Sequence, residues 1–129
     1  MSDKSQMLFP KNWKPIFFEN SKAVVLLSLL APININAITL GFIVLSRGEM
    51  DENTKRHETI HFQQFLETGF IGFLILYFYD YLKNYLYFKN GEIAYMQIRA
   101  EQEAYLNDTD EHYLANRKRW DWLKPEKLT

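Results

Sequence analysis

The sequence predicts a single α+β domain over residues 1–129, predominantly helical, with a short antiparallel β-sheet packed over one helix. Three observations lead there. Two β-rich apolar stretches, Ala23 to Leu30 and Ala37 to Leu45, flank a turn region, Ala31 to Asn36, that holds Pro32 and two asparagines; this is the pattern of an antiparallel pair. Beyond Asp51 the apolar residues recur at helical rather than strand period. And 129 residues, 47% hydrophobic and 16% aromatic, suffice for one core but not for two.

Met1 to Lys22 reads as an amino-terminal arm, marked by Pro10 and Pro15 and by scattered lysines. It shows neither the apolar core nor the small-residue cleavage site of a secretory signal, which favours a cytoplasmic protein. Ala23 to Ser46 carries no charged residue and has the length of a membrane-spanning helix. Yet Pro32, Asn34 and Asn36 sit in its middle, and Ile33, Ile35 and Ala37 alternate with the asparagines at the period of a strand. A broken hairpin fits that pattern better.

Asp51 offers a side-chain cap, and with Glu52 suits the positive end of the dipole, for a helix running to about Thr68. Gly69 and Gly72 mark a break. Phe70 to Phe88 then forms an aromatic-rich helix whose rings belong to the core, with Asp80 and Lys83 on its wetter side. Its apolar run, Phe70 to Tyr79, is too short to span a bilayer; any membrane contact of these aromatics would be peripheral. Asn90-Gly91 ends this helix, Glu92 to Leu106 makes a third, and Asn107 to Asp110 is a polar turn. Glu111 to Arg119 is a last helical stretch before Trp120-Asp121-Trp122 and a proline-containing tail.

A formal net charge of −1 and a pI near 6.3 provide no basic field that would gather phosphates, so no nucleic-acid partner is expected. The single basic cluster, Arg117-Lys118-Arg119, reads as a solvated helix end. Cysteine is absent. There is thus no disulfide framework and no thiolate metal site, and any metal must be held by nitrogen and oxygen.

Two of the three histidines fall in one pentapeptide, His57-Glu58-Thr59-Ile60-His61. In a helix a spacing of four puts both imidazoles on one face, one turn apart, as a two-pronged metal clamp. Glu58 leans to the same side, where a carboxylate can take a proton from a metal-activated water. A catalytic zinc needs a third protein ligand and an open position. The extended HExxHxxGxxH pattern would need a glycine and a histidine where this chain has Gln64 and Glu67, which excludes that class. Placed at ~100° per residue, Glu101 falls with Ala94, Gln97, Ile98, Ala100, Ala104 and Tyr105, whereas Glu92, Arg99 and Glu103 gather on the opposite, solvated face. A carboxylate on an otherwise mostly apolar face needs a cation or donors. Either a metal ion or an ion pair to Arg56 or Arg117 would serve, and Glu103 is the reserve candidate.

HExxH on one helix with a glutamate on a later one resembles the gluzincin type of zinc peptidase, of which thermolysin is the familiar member. The fuller pattern, Arg56 to Gln64 followed by Glu101-Gln102-Glu103-Ala104-Tyr105, is similar to short HExxH metallopeptidases of phages and bacteria that share HExIHxxQ and then ExEAY or ExEAD. The resemblance covers roughly Ala23 to Tyr105. It implies a small zincin-like domain with Zn2+ as cofactor, His57, His61 and Glu101 as metal ligands, and Glu58 as general base. It also implies that Ala37 to Leu45 presents an edge strand to a peptide or protein substrate. Tyr105 stands where thermolysin-like enzymes keep an aspartate that steadies a ligand histidine, and offers a hydroxyl but no charge. His112, Tyr113 and Tyr105 are the available donors for the oxyanion, and a catalytic role is expected of His112 and Tyr113. The expected activity is hydrolysis of peptide bonds by a metal-activated water. The alternatives are a non-catalytic zinc module that holds helices or builds an interaction surface, and a small membrane-associated protein. Oligomeric state has no signature in the sequence.

Overall fold

The computed structural model describes residues 13–24 and 37–124. It is mostly helical with a three-stranded mixed sheet, and its elements run β1 (Ile16–Phe18), β2 (Ala37–Leu40), β3 (Ile43–Ser46), α1 (Glu52–Thr68), α2 (Phe70–Phe88), α3 (Gly91–Met96), α4 (Arg99–Asn107), α5 (Tyr113–Asn116) and a 3-10 turn (Asp121–Leu123).

The sheet order is β1-β3-β2. What the sequence presents as one strand, Ala37 to Leu45, is a two-stranded hairpin in which Leu40 pairs with Ile43 across a two-residue turn. Gly41 takes φ 66 at the first central position of that turn. A left-handed glycine there lets two right-twisted strands meet without splaying. The second correction concerns the amino-terminal arm, which contributes β1 in parallel register with β3, Ile16 beside Ile43 and Phe18 beside Leu45. β2 occupies one edge of β3, and Ile-Phe-Phe satisfies the other, where the Ile16 amide also donates to the Phe42 carbonyl at 2.8 Å. The sheet is therefore mixed rather than antiparallel. Ala23 and Val24, the first two residues of the expected strand Ala23 to Leu30, fall in a helical turn over residues 22–24. The rest of it, and the turn region 31–36, lie outside the described residues.

The motif helix follows the sequence. Asp51 caps α1, its carboxylate accepting from the Thr54 amide at 2.7 Å, and Gly69 ends it with φ 77. Nine consecutive residues, His57 to Phe65, are buried, because β2 covers one side of α1 while α2 and α4 cover others. A small core joins Phe65, Phe73, Ile98, Ala100 and Trp122, with the Phe65 and Phe73 rings stacked at 4.0 Å. Each large side chain buried there contributes about 1.5–3 kcal/mol.

The expected helix Glu92 to Leu106 is two helices with a break at Gln97 and Ile98, where Ile98 is extended with ψ 130. The break has a tertiary cause. Ile98 is fully buried in the core, and the Asp80 carboxylate accepts from the Arg99 amide at 3.1 Å and from the guanidinium at 2.8 and 3.0 Å. An anion from α2 thus caps the start of α4. Asp80 is accordingly buried and not on a wet face. Nor is Arg117-Lys118-Arg119 a solvated end: Arg117 is 1% exposed and Arg119 8%. Only one turn, Tyr113–Asn116, forms within Glu111 to Arg119.

Candidate metal centre

α1 and α4 pack together, and that contact brings the three expected ligands to one point. His57 Nε2 stands 3.2 Å from Glu101 Oε1, His61 Nε2 stands 3.1 Å from the same oxygen, and the two Nε2 atoms are 3.2 Å apart. All three residues are buried. Neither arginine named as a rival partner reaches Glu101: Arg56 donates to Asn53 and to the Asp108 carbonyl, and Arg117 to Glu67, Glu103 and Gln63.

The other ring nitrogens decide what the inner ones offer. His57 Nδ1 lies 3.0 Å from Asp108 Oδ2, a carboxylate that accepts and cannot donate, so this nitrogen carries the ring proton. His61 Nδ1 lies 2.8 Å from Gln64 Oε1. The Gln64 amide is oriented by donating from Nε2 to the Ala100 carbonyl at 3.1 Å and to Glu103 Oε1 at 2.8 Å, so its oxygen faces His61 and takes that proton. In these neutral tautomers both Nε2 atoms would present lone pairs beside that of Glu101 Oε1. Three acceptors converging in a buried place repel one another unless a cation joins them. Ligands about 2.0–2.1 Å from a tetrahedral zinc-like ion stand about 3.3 Å apart, close to the spacings found. His57, His61 and Glu101 form a buried group that could hold a metal ion.

A proton on His61 is the alternative balance for the Glu101 charge. Burial opposes a charge on His61, but the Glu101 carboxylate, with a further pull from Glu58, outweighs it and carries the imidazole up to about 9. Burial likewise opposes ionised Glu101, yet His61 and the hydrogen bonds from His57, His61 and Tyr77 hold its carboxyl far below the usual range. Tyr77, from α2, donates to Glu101 Oε2 at 2.6 Å, and its own ionisation is pushed up by burial and then by the Glu101 charge. The oxygen facing the histidines is thereby left to them while its twin is held by a neutral donor.

Glu58 lies on the same helix, buried, with Oε2 accepting from the Thr39 hydroxyl of β2 at 2.6 Å. Its side-chain partner among the described residues is that hydroxyl and not a cation. The remaining candidates stand elsewhere. His112 is exposed. Tyr113 donates to Glu103 Oε2 at 2.6 Å, and neither has a hydrogen bond to the three converging atoms. Tyr105 packs its ring on His57 at 4.4 Å, with its hydroxyl 3.1 Å from that of Tyr95. The carboxylate that steadies His57 comes instead from Asp108. Glu103 is not solvated: Arg117 Nε donates to it at 2.6 Å.

Sequence reasoning missed Asp108, Gln64, Tyr77 and Thr39. Gln64 carries a signal, three residues after His61 on the same helical side. Asp108 has one in retrospect as a carboxylate two turns beyond Glu101, whereas Tyr77 and Thr39 are placed by packing alone. No family model matches this chain, and neither a curated protein nor a solved structure matches it.

Proposed function

We propose that this chain is a zinc-dependent metallopeptidase of gluzincin type, with His57, His61 and Glu101 holding the metal. The observation that carries the reading is the convergence of three potential ligand atoms whose orientation is fixed from behind, by Asp108 and Gln64 on the histidines and by Tyr77 on the glutamate. Two imidazoles and one carboxylate suit zinc, and three protein ligands leave a place for reactants. When bound, zinc would polarise a peptide carbonyl and lower the pKa of a water towards about 7.

The chain's own residues supply the rest. Glu58 accepts the water's proton and returns it to the departing amine, and the Thr39 hydroxyl holds the carboxylate in one orientation for both transfers. β2 is an edge strand whose outer side has no strand partner among the described residues. A substrate in extended form can add to that edge, pairing its backbone beside Thr39. An open cavity of about 450 Å³ is lined by Trp13 and Lys14, which precede β1 at the other edge of the sheet, and by Phe42 and Phe62.

A buried carboxylate is expensive, and the side-chain hydrogen bond that Glu58 makes among the described residues is with Thr39 of β2. A purely structural zinc module would have no use for it. Glu58→Gln separates the two: it should retain metal and lose about 10²–10⁴-fold in hydrolysis of a fluorogenic peptide mixture. Unchanged hydrolysis would remove Glu58 as the base. Absence of hydrolysis in the metal-loaded wild type across that mixture would favour the structural module.

A further inference from the structure

The sequence assigns the aromatic helix to the core, but the structure turns most of it outward. Of its 19 residues, α2 buries only Phe73, Asp80 and Asn84. Ile71, Ile75, Phe78, Leu82 and Leu86 are 66, 63, 65, 58 and 66% exposed. Their spacing of three and four places them in one stripe along a helix about 28 Å long. A stripe of that size is beyond the scattered apolar surface of an ordinary monomer and calls for a cover.

The charges around the stripe say which cover. Asp80, the helix's one acidic residue, points inward and is paired with Arg99. The charges that α2 and its C-cap leave outside are therefore all positive, on Lys83 and Lys89, both exposed. Lys83 Nζ sits 5.8 Å from the Tyr79 ring centroid, and Tyr79, Tyr85 and Tyr87 are exposed beside the stripe. An apolar stripe bordered by tyrosine hydroxyls and lysines, with no exposed acid on the helix itself, is the composition of a helix lying in a lipid interface. Pairing this face with a second copy would set lysines against lysines with no carboxylate on α2 to answer them. The apolar surface also continues past the helix. The Gly41 turn lies against the Phe70 ring, and Leu40, Phe42 and Ile43 of the hairpin are exposed beyond it.

No single helix among the described residues is long and apolar enough to cross a membrane. The opposite face of α2 is committed to the core and to Arg99. We propose that α2 lies in the plane of an anionic lipid surface, its Ile71-to-Leu86 stripe immersed to the acyl boundary and Lys83 and Lys89 among the headgroup phosphates. The attachment does not depend on the metal site.

The test is sedimentation of the full chain with vesicles of phosphatidylcholine alone and of phosphatidylcholine mixed with phosphatidylglycerol, with light scattering to determine solution mass. Wild type should partition to both and more strongly to the anionic mixture. Ile75→Glu/Phe78→Glu/Leu82→Glu, all at exposed positions, should keep the circular dichroism of wild type and bind at least about tenfold less. Lys83→Ala/Lys89→Ala should lose the preference for the anionic mixture, and Glu101→Ala should bind as wild type does. A wild type that stays in the supernatant overturns the proposal: as a dimer dissolved by the triple variant it would assign the stripe to a second copy, and as a monomer to another cover.

Discussion

Two buried polar clusters lie side by side in this protein, and they are built on opposite plans. In one, Arg117 is enclosed by Glu67 and Glu103, with side-chain exposures of 0, 0 and 8%, and Trp122 and Tyr113 supply further donors to the carboxylates. Its cation is part of the chain. In the other, His57, His61 and Glu101 converge on one point with no arginine or lysine partner among the described residues, and a proton on His61 is what answers the Glu101 charge. Gln64 touches both, accepting from His61 and donating to Glu103. Glu101 and Glu103 stand two apart on α4 and so face different clusters. The first cluster is self-sufficient, while the second could hold a metal ion.

The largest effect is expected where the self-contained cluster is broken. Arg117→Met leaves two buried carboxylates without their counter-charge and should cost about 3–5 kcal/mol of stability in urea unfolding. A cost below about 1 kcal/mol would mean that the cluster is hydrated, and the contrast with the metal centre would collapse. Next, Asp108→Asn replaces an obligate acceptor by an amide that can turn either end to His57, so the ring is no longer held in one tautomer. Zinc affinity should fall about 10–100-fold in competition with a chelating dye, with urea unfolding of the metal-free protein nearly unchanged. An unaltered affinity would show that the tautomer is fixed from elsewhere.

A pH dependence is expected in one cluster only. In metal-free protein His61 is carried from 6.5 to about 9. A folded-state value above the unfolded one contributes stability that is complete below about 6.5 and lost as pH rises through about 9. Thermal unfolding of the metal-free protein should therefore move down between those limits. The slope should vanish in His61→Gln. Burial opposes the charge on Arg117, but Glu67 and Glu103 push it up past an already high value, so it stays charged throughout. A slope retained in His61→Gln would assign it to a different group.

The contrast between the clusters was half legible in the sequence. The spacing of His57 and His61 fixes their common face, the Asp51 cap and Gly69 stop fix the helix that carries them, and the inward aspect of Glu101 follows from its alanine neighbours. Glu103 shows where that reasoning ends. Read as a continuous helix from Glu92, α4 turns Glu103 and Arg99 to solvent. In the fold the helix breaks at Ile98, and each of the two finds its partner on a distant segment, Arg117 or Asp80. Periodicity reports which face a residue shares, but not what another segment lays over that face. The same limit applies to α2, whose rings look like core because apolar composition does not say whether the cover is protein. It applies equally to the sheet, where Gly41 inside an uncharged run was the one sign that a strand was a hairpin.

Metal content measured by mass spectrometry tests the central claim most directly, on untagged protein purified without chelator beside His57→Ala, Glu101→Ala and Glu103→Ala. The open cluster predicts close to one zinc per chain in wild type, retained in Glu103→Ala and lost in the other two. No metal in wild type, or zinc that survives Glu101→Ala, would contradict the three-ligand centre.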